Sequence, residues 1–223
     1  MPVQKDTYLQ LSELFKSQRV TLVAVSKTKP ASDIEEMYAL GQRDFGENYV
    51  QELVEKQALL PADIQWHFIG HLQSNKVKYI APFVYMIHGV DSLKLLQMIN
   101  RQGAMQSRKI RCLLQVHIAA EETKFGLDNN ELMHLLQEIS GEQILEHVQV
   151  CGLMGMASFS DDVQKVRTEF RMLKSLFDDV KEKFFYHDDQ FSELSMGMSG
   201  DYTMAIEEGS TMVRIGSLLF GSR

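Results

Sequence analysis

The 223-residue sequence predicts an α/β protein, a single-domain (β/α)8 TIM barrel over residues 1–223, from three observations. Short strand-type runs alternate with amphipathic stretches in eight cycles, and several runs are almost continuously apolar, as in parallel strands covered on both faces. No low-complexity or Pro/Gly-rich linker divides the chain. A doubly wound open sheet is the alternative, but no G-x-G-x-x-G follows the first strand and eight units are many for that fold.

The candidate strands share apolar and β-branched residues, which favour extended structure. In chain order they are "TLVAVSK" from Thr21, "RDFGEN" from Arg43, "IQWHFIG" from Ile64, "VYMIHGV" from Val84, "IRCLLQVHI" from Ile110, "VQVCGLMGMA" from Val148, "SELSMGM" from Ser192 and "MVRIGSLLFG" from Met212.

Helical periodicity occupies the segments between these runs, most clearly over residues 132–139 and in the long stretch that starts at Val163. Asp128 followed by Glu131 predicts a capping box before the first of these helices. The run "SDD" at 160–162 suits the N-terminus of the second. A further helix is expected to begin near Asp201, after strand seven.

Composition excludes several classes of protein. A formal net charge of −7 and a pI near 5.5 argue against nucleic acid as the main partner, which would require a basic face. No run approaches the roughly 18 apolar residues of a membrane span, and no secretory core or export signal is visible at the start. Cys112 and Cys151 lie in strand-type runs, so we expect buried thiols and a cytoplasmic protein.

Lys27 is the first candidate functional residue, because it ends the first predicted strand. The chemistry of a (β/α)8 barrel sits at the C-terminal ends of its strands. Lysine is rarely buried without a partner or a lowered pKa, so an ammonium at the end of an apolar strand predicts a role. Lys29, next to Pro30, is the nearest rival.

Two Ser-Gly pairs follow strands seven and eight, where barrels favour a phosphate site. They are Ser199-Gly200 and Gly216-Ser217, small residues whose backbone amides an anion can approach. Arg214 lies two residues before Gly216 and therefore faces the same side of its strand. The structural alternative for Arg214 is an ion pair with Glu207 or Glu208 at the barrel rim.

A lysine, a phosphate cradle and an arginine together suit pyridoxal 5′-phosphate (PLP), which offers an aldehyde, a phosphate and a pyridine nitrogen. To attack the aldehyde, the Lys27 amine must be neutral, which partial burial and a nearby cation such as Arg214 would favour. A Schiff-base aldolase acting on a phosphosugar would use the same lysine and cradle without PLP.

Six segments, in this order between about Val20 and Gly221, resemble the YggS-type pyridoxal phosphate homeostasis proteins, PLP-binding relatives of the alanine racemase barrel domain. They are "VAVSKTKP", "FGENYVQE", "WHFIGHLQSNK", "TKFGL", "SMGMSGDY" and "VRIGSLLFG". The resemblance implies an alanine-racemase-like barrel with PLP as cofactor. The cofactor residues it implies are Lys27 for a covalent aldimine, Asn48 beside the ring, Arg214 at the pyridine nitrogen, and Ser199, Gly216 and Ser217 for the phosphate.

This sequence departs from the family at His117, where asparagine is common, and in a shorter segment before strand one. Asn48 has an alternative role as a helix cap. His67 and His88 are expected to pack at the barrel end, with contact to the cofactor as the alternative, and the four-residue spacing of His67 and His71 does not make a metal site without a third ligand.

The function expected from these residues is a non-enzymatic carrier that holds PLP and delivers it to PLP-dependent apoenzymes as a monomer. In the resembled racemases a second domain supplies a tyrosine opposite the lysine, and no length for that domain follows "LLFG". An arginine at the ring nitrogen also leaves the ring a weak electron sink. The alternative is a single-domain amino-acid racemase of limited scope, with Tyr49 or Tyr202 as its second group.

Overall fold

Eight parallel strands form a closed barrel in the order β1 to β8, which confirms the predicted fold. The structure, a computed structural model, describes residues 3–119, 125–140 and 145–221. Strand β1 pairs with β2 on one side and with β8 on the other, through Thr21 opposite Met212, and so closes the sheet. Residues Thr123 and Lys124 of the "TKFGL" segment lie outside the described residues.

Each of the eight strands overlaps the run predicted for it. The strands are β1 Thr21–Val25, β2 Asp44–Glu47, β3 Gln65–Phe68, β4 Met86–Val90, β5 Ile110–Val116, β6 Val148–Gly155, β7 Glu193–Met198 and β8 Met212–Ile215.

The helices lie between the strands, with one before β1 and one after β8. They are α1 Lys5–Gln18, α2 Ala31–Ala39, α3 Val50–Leu59, α4 Val77–Ile80, α5 Leu93–Met105, α6 Asn129–Ser140, α7 Val163–Phe184, α8 Tyr202–Glu207 and α9 Ser217–Phe220, with a 3₁₀ turn at Ser74–Lys76 before α4.

The predicted helix starts are confirmed by their hydrogen bonds. Before α6, the Asp128 amide donates to Glu131 Oε2 at 2.9 Å and the Glu131 amide donates to Asp128 Oδ1 at 2.8 Å, a reciprocal capping box. At α7, Asp162 Oδ1 accepts from the amides of Gln164 and Lys165. These caps satisfy amides that have no partner inside the helix.

Two apolar clusters support the barrel. The larger one packs the outer faces of the strands against the helices, and its largest fully buried side chains include Phe45, Phe68 and Phe170. The smaller one fills the barrel interior and consists of Val23, Met86, Leu113, Cys151, Met154 and Met212. Cys112 and Cys151 are both buried thiols without a disulfide, as predicted.

Six of the eight predicted runs extend past the C-terminal ends of the observed strands, and two of these differences, at β1 and β8, bear on the site. Strand β1 ends at Val25, so Lys27 lies in the turn after the strand instead of at its last position. The run from Met212 stops being extended after Ile215, and residues 217–220 form the helical turn α9. A short apolar run such as "LLF" does not distinguish a strand from a buried helical turn.

Within the described ranges, no helix combines the length and the apolar character needed to cross a membrane.

Candidate cofactor site

One cavity of about 680 Å³ opens at the C-terminal ends of β1, β2, β7 and β8. These four strands are consecutive neighbours around the closed barrel, so the loops that follow them converge. All six predicted site residues line this cavity: Lys27, Asn48, Ser199, Arg214, Gly216 and Ser217. Its remaining walls include apolar side chains such as Val25, Ile69, Met156, Met198 and Met204.

Lys27 lies in a tight turn two residues beyond β1, and its side chain is partly buried. The next residue, Thr28, has a φ of 63°, in the left-handed region that β-branched residues rarely adopt. Glu52 Oε1 accepts a hydrogen bond from the Thr28 amide at 2.6 Å. This bond stabilises the unusual backbone and fixes one side of Lys27.

The other side of Lys27 is fixed by a buried ion cluster, which we call the lysine-turn clamp and which consists of Glu47, Glu52 and Lys56. Lys56 Nζ donates to the Ser26 carbonyl, to Glu47 Oε1 and to Glu52 Oε1, each at 2.7 Å. Ser26 Oγ also donates to Glu47 Oε1 at 2.6 Å. The clamp therefore holds the backbone on both sides of Lys27.

Burial raises the pKa of Glu47, while the ammonium of Lys56 and the hydroxyl of Ser26 act in the opposite direction. Glu47 is fully buried, and its Oε2 has no hydrogen-bond partner among the described residues. The sequence analysis does not identify this clamp. Its signal in the sequence is the i, i+4 spacing of Glu52 and Lys56, which places both on one face of α3.

Lys29, the rival of Lys27, is directed elsewhere. Its Nζ donates to the Phe220 carbonyl at 2.7 Å and lies 3.5 Å from the Gly221 carbonyl. Lys29 is not among the residues that line the cavity. It instead ties the turn after β1 to the end of α9.

Asn48 follows β2 and presents an unpartnered acceptor. Its Oδ1 is buried and has no hydrogen-bond partner in the described part of the chain. A Cβ on Gly70 would lie 2.3 Å from the Asn48 carbonyl oxygen, so glycine at 70 permits this close approach. The helix-cap alternative for Asn48 is wrong, because Tyr49 is the N-cap of α3. Leaving a buried acceptor unpaired costs about 1–3 kcal/mol, which a ligand that donates there would recover.

The two small-residue loops meet. Ser199 Oγ accepts a hydrogen bond from the Gly216 amide at 3.2 Å and so joins the loop after β7 to the loop after β8. Asp201 closes the first loop by accepting from the Met198 amide at 2.6 Å, and burial raises the pKa of Asp201. The loops thus form one cradle with a hydroxyl and an amide at its centre.

Arg214 is buried at the side of the cavity and held by strands β6 and β7. Its Nη1 donates to the carbonyl and hydroxyl oxygens of Ser195 at 2.9 and 2.5 Å, and its Nη2 donates to the Gly155 carbonyl at 3.1 Å. Burial lowers the pKa of Arg214 to about 10, so the guanidinium stays charged at neutral pH. A guanidinium has five N–H donors, so these three bonds leave capacity for an acceptor in the cavity.

The rim ion pair that was the alternative role of Arg214 is wrong. Glu207 and Glu208 pair with Arg167 and Arg171 of α7. Those carboxylates stabilise the packing of α7 near α8, and Arg214 faces the interior.

The histidines have roles other than those expected. His67 and His88 are fully buried in the barrel interior and hydrogen-bond to each other, so they do not act as packing at the barrel end. His71 stacks on Phe125 and lies 3.5 Å from Asp91. No group of histidines, cysteines and carboxylates among the described residues could hold a metal ion.

The site fits PLP in its donor set. It combines an amine beside the cavity, a cradle with a hydroxyl and an amide for an anion, an unpaired amide oxygen and a fixed cation. Fold and site together define a class: parallel barrels with a lysine after the first strand and an anion cradle after the last two.

Comparison with known proteins identifies the family. The profile described as alanine racemase, N-terminal domain, matches residues 5–223. The pyridoxal phosphate homeostasis protein of Pasteurella multocida is 42% identical over 209 residues, which cover 92% of this chain and 87% of that protein. Its human namesake is 42% identical over 214 residues, which cover 91% of this chain and 76% of that protein. The chain belongs to the alanine racemase N-terminal domain family and, within it, to the pyridoxal phosphate homeostasis proteins.

A solved structure agrees in sequence and in fold. PipY of Synechococcus elongatus, determined with PLP bound, superimposes with a TM-score of 0.84 at 36% identity. The match covers 96% of this chain and 100% of that chain.

Proposed function

We propose that this protein binds PLP in the cavity through a Schiff base on Lys27, holds it, and releases it to PLP-dependent apoenzymes without turning over amino acids. The observation that carries the proposal is that all six residues predicted from the sequence line one cavity. Two comparisons support it further: the relatives are named pyridoxal phosphate homeostasis proteins, and the structure of PipY was determined with PLP bound.

The residues divide the binding between them. The Lys27 amine bonds to the aldehyde carbon, and water leaves as the Schiff base forms; the reverse reaction releases the cofactor. Ser199, Gly216 and Ser217 bind the phosphate, and Asn48 offers its amide beside the ring. Arg214 donates to the pyridine nitrogen and stays protonated there. PLP supplies a reactive aldehyde and an electron-withdrawing ring.

The racemase alternative needs a second acid–base group across the cavity from Lys27. Tyr49 and Tyr202 are the tyrosines the sequence suggests, and neither is among the lining residues. Tyr49 is 54% exposed at the start of α3, and Tyr202 packs edge-on against Phe15. This placement favours the carrier over the racemase.

The proposal extends to the state in which the protein acts. All six predicted cofactor residues come from one chain, so a monomer contains the whole proposed site. The reduced buried thiols Cys112 and Cys151 suit the reducing cytoplasm, which we propose as the place of action.

Borohydride trapping tests the proposal. We expect the PLP-loaded protein to be yellow, to bleach on reduction, and to carry the reduced cofactor on Lys27 when its peptides are analysed by mass spectrometry. Lys27→Ala should abolish the visible absorbance with the far-UV circular dichroism unchanged, and Lys29→Ala is the matched control that keeps it. Reduced cofactor on Lys29, or a protein that never becomes coloured with PLP, would refute the assignment and favour the aldolase reading.

A further inference from the structure

A continuous chain of hydrogen bonds crosses the barrel interior behind Arg214. Arg214 Nη1 lies 2.5 Å from Ser195 Oγ, which lies 3.3 Å from His88 Nδ1. His88 Nε2 lies 2.9 Å from His67 Nδ1, and His67 Nε2 lies 3.0 Å from Asp44 Oδ1. The three middle side chains are fully buried, whereas the Asp44 side chain is 25% exposed. The chain therefore connects the cavity to the opposite end of the barrel, where β2 begins.

The chemistry of these groups fixes the direction of each bond. A guanidinium only donates, so Ser195 Oγ accepts from Arg214 and its own proton points to His88 Nδ1. Burial, with the nearby charge of Arg214 adding to it, holds the pKa of His88 well below its usual range, so the ring is neutral. A neutral ring that accepts at Nδ1 carries its proton on Nε2 and donates it to His67 Nδ1. His67 then donates from Nε2 to the Asp44 carboxylate.

We infer that Ser195, His88, His67 and Asp44 form a polarised hydrogen-bond chain that positions Arg214 and links its charge to a carboxylate at the far end of the barrel. All four are positioning residues, because none of them lines the cavity. The contact between Arg214 and the cofactor rests on the proposed function, whereas the hydrogen-bond chain behind Arg214 does not.

The surroundings explain why the chain matters. Apolar side chains that include Met86, Leu113 and Met154 fill much of the barrel interior. Polar groups are costly in such surroundings unless every one is paired. In this chain every donor meets an acceptor, and the dipoles point from the cation to the anion. Such an arrangement strengthens each bond through its neighbours and offsets part of the cost of burying the Arg214 charge.

Nuclear magnetic resonance of the protein without cofactor tests the chain directly. In two-bond ¹⁵N–¹H spectra we expect His88 to be neutral, and we expect the hydrogen-bonded proton on Nε2 in both rings. Asp44→Asn should shift the ring nitrogens of His88, with which Asp44 has no direct bond in the chain, and Ser195→Ala should shift those of His67.

Ser210→Ala is the matched control. Ser210 is buried like Ser195, and its Oγ contacts the Leu194, Met196 and Met212 carbonyls outside the chain. It should leave both histidines unchanged. A proton on His88 Nδ1, a doubly protonated His88, or an Asp44→Asn shift confined to His67 would overturn the proposal. These three outcomes are measured on the wild-type protein and on Asp44→Asn, so the test remains decisive even if Ser195→Ala does not fold.

The PLP-loaded protein tests the link to the site separately. Asp44→Asn and Ser195→Ala should shift the visible absorbance maximum of bound PLP in the same direction, with the smaller shift for the more distant Asp44. Unchanged absorbance in both variants, with the resonance shifts present, would refute the link from Arg214 to the cofactor and show that the chain only supports the fold. Failure to bind PLP at all would refute the proposed function instead.

Discussion

At the scale of single residues, the surroundings of Lys27 and Lys29 differ although only Thr28 separates them. Lys27 lines the cavity, whereas the ammonium of Lys29 is held by the Phe220 carbonyl. Held at Phe220, the Lys29 amine is directed away from the cavity that Lys27 lines. The geometry thus favours Lys27 for a reason that the spacing of the two lysines does not reveal.

The phosphate cradle leads to a prediction about cofactor affinity. Ser199→Ala removes the hydroxyl that joins the two loops. Gly216→Val adds a side chain whose Cβ would lie only 3.3 Å from Val25 Cβ, so it obstructs the loop after β8. A lost charge-assisted hydrogen bond is worth about 1.5–3 kcal/mol, so each variant should bind PLP roughly tenfold or more weakly. Equilibrium titration followed by absorbance measures the change.

Pyridoxal without its phosphate is the control ligand for this prediction. It should bind poorly to the wild-type protein, and its affinity should change little in Ser199→Ala. If pyridoxal and PLP bound equally well, the phosphate would contribute nothing and the cradle assignment would be wrong.

His88 predicts how stability depends on pH. Its folded pKa is depressed, so below about pH 6.5 the unfolded chain binds a proton that the folded protein excludes. The His88 contribution to the free energy of unfolding is therefore complete above that pH and is lost as the pH falls, by about 1.4 kcal/mol per unit. Urea unfolding from pH 7.5 to 5.5 should show a shallower slope for His88→Gln than for wild type. A wild-type slope in His88→Gln would contradict the argument.

At the scale of secondary-structure elements, the lysine-turn clamp joins α3 to the turn after β1 and predicts two separable effects of Lys56→Met. The variant leaves Glu47 buried without its cation, so the free energy of unfolding should fall by about 3–5 kcal/mol. It also frees the Ser26 carbonyl and loosens the backbone beside Lys27, so PLP should bind more weakly. Urea unfolding and PLP titration measure the two effects.

The double variant Lys56→Met with Glu47→Gln separates stability from positioning. Neutralising position 47 should recover part of the stability, while PLP binding should stay weak because the bond to Ser26 is still absent. Lys174→Met is the surface control, since the Lys174–Asp178 pair is largely exposed and worth about 0–1 kcal/mol. Full recovery of PLP binding in the double variant would show that the clamp acts only on stability.

The elements also show how far sequence reasoning reaches. Strand order and helix starts are predictable because apolar runs, periodicity and the Asp128 capping box are local signals. The start of α9 at Ser217 is not predictable from "SLLF", since the same letters suit a buried strand. The lysine-turn clamp and the histidine chain depend on contacts between separate strands and helices. His67 and His88, for example, meet only because β3 and β4 are neighbours in the barrel.

At the scale of the whole molecule, barrel closure creates the site. Residues from the two ends of the sequence, such as Lys27 and Gly216, come together because β1 pairs with β8. Five of the six predicted cofactor residues follow the C-terminal ends of β1, β2, β7 and β8, and the sixth, Arg214, lies in β8 itself. A change that weakened the β1–β8 pairing would therefore disturb the amine and the phosphate cradle together.

The last prediction is that the loaded protein exchanges the α-hydrogen of amino acids far more slowly than an enzyme. As proposed, Lys27 serves as a base for one face of a bound amino acid. Among the described residues that line the cavity there is no tyrosine, and the carboxylates are Asp161 and Asp201, of which Asp201 already accepts from the Met198 amide. In deuterium oxide we expect L-alanine to show exchange well below the rate of about 1–10³ per second typical of enzymes. An added PLP-dependent apoenzyme should meanwhile regain activity from the loaded protein, and Lys27→Ala treated with PLP should not restore it. Exchange at an enzyme rate that disappears in Asp201→Asn, Tyr49→Phe or Tyr202→Phe would identify a racemase and overturn the carrier.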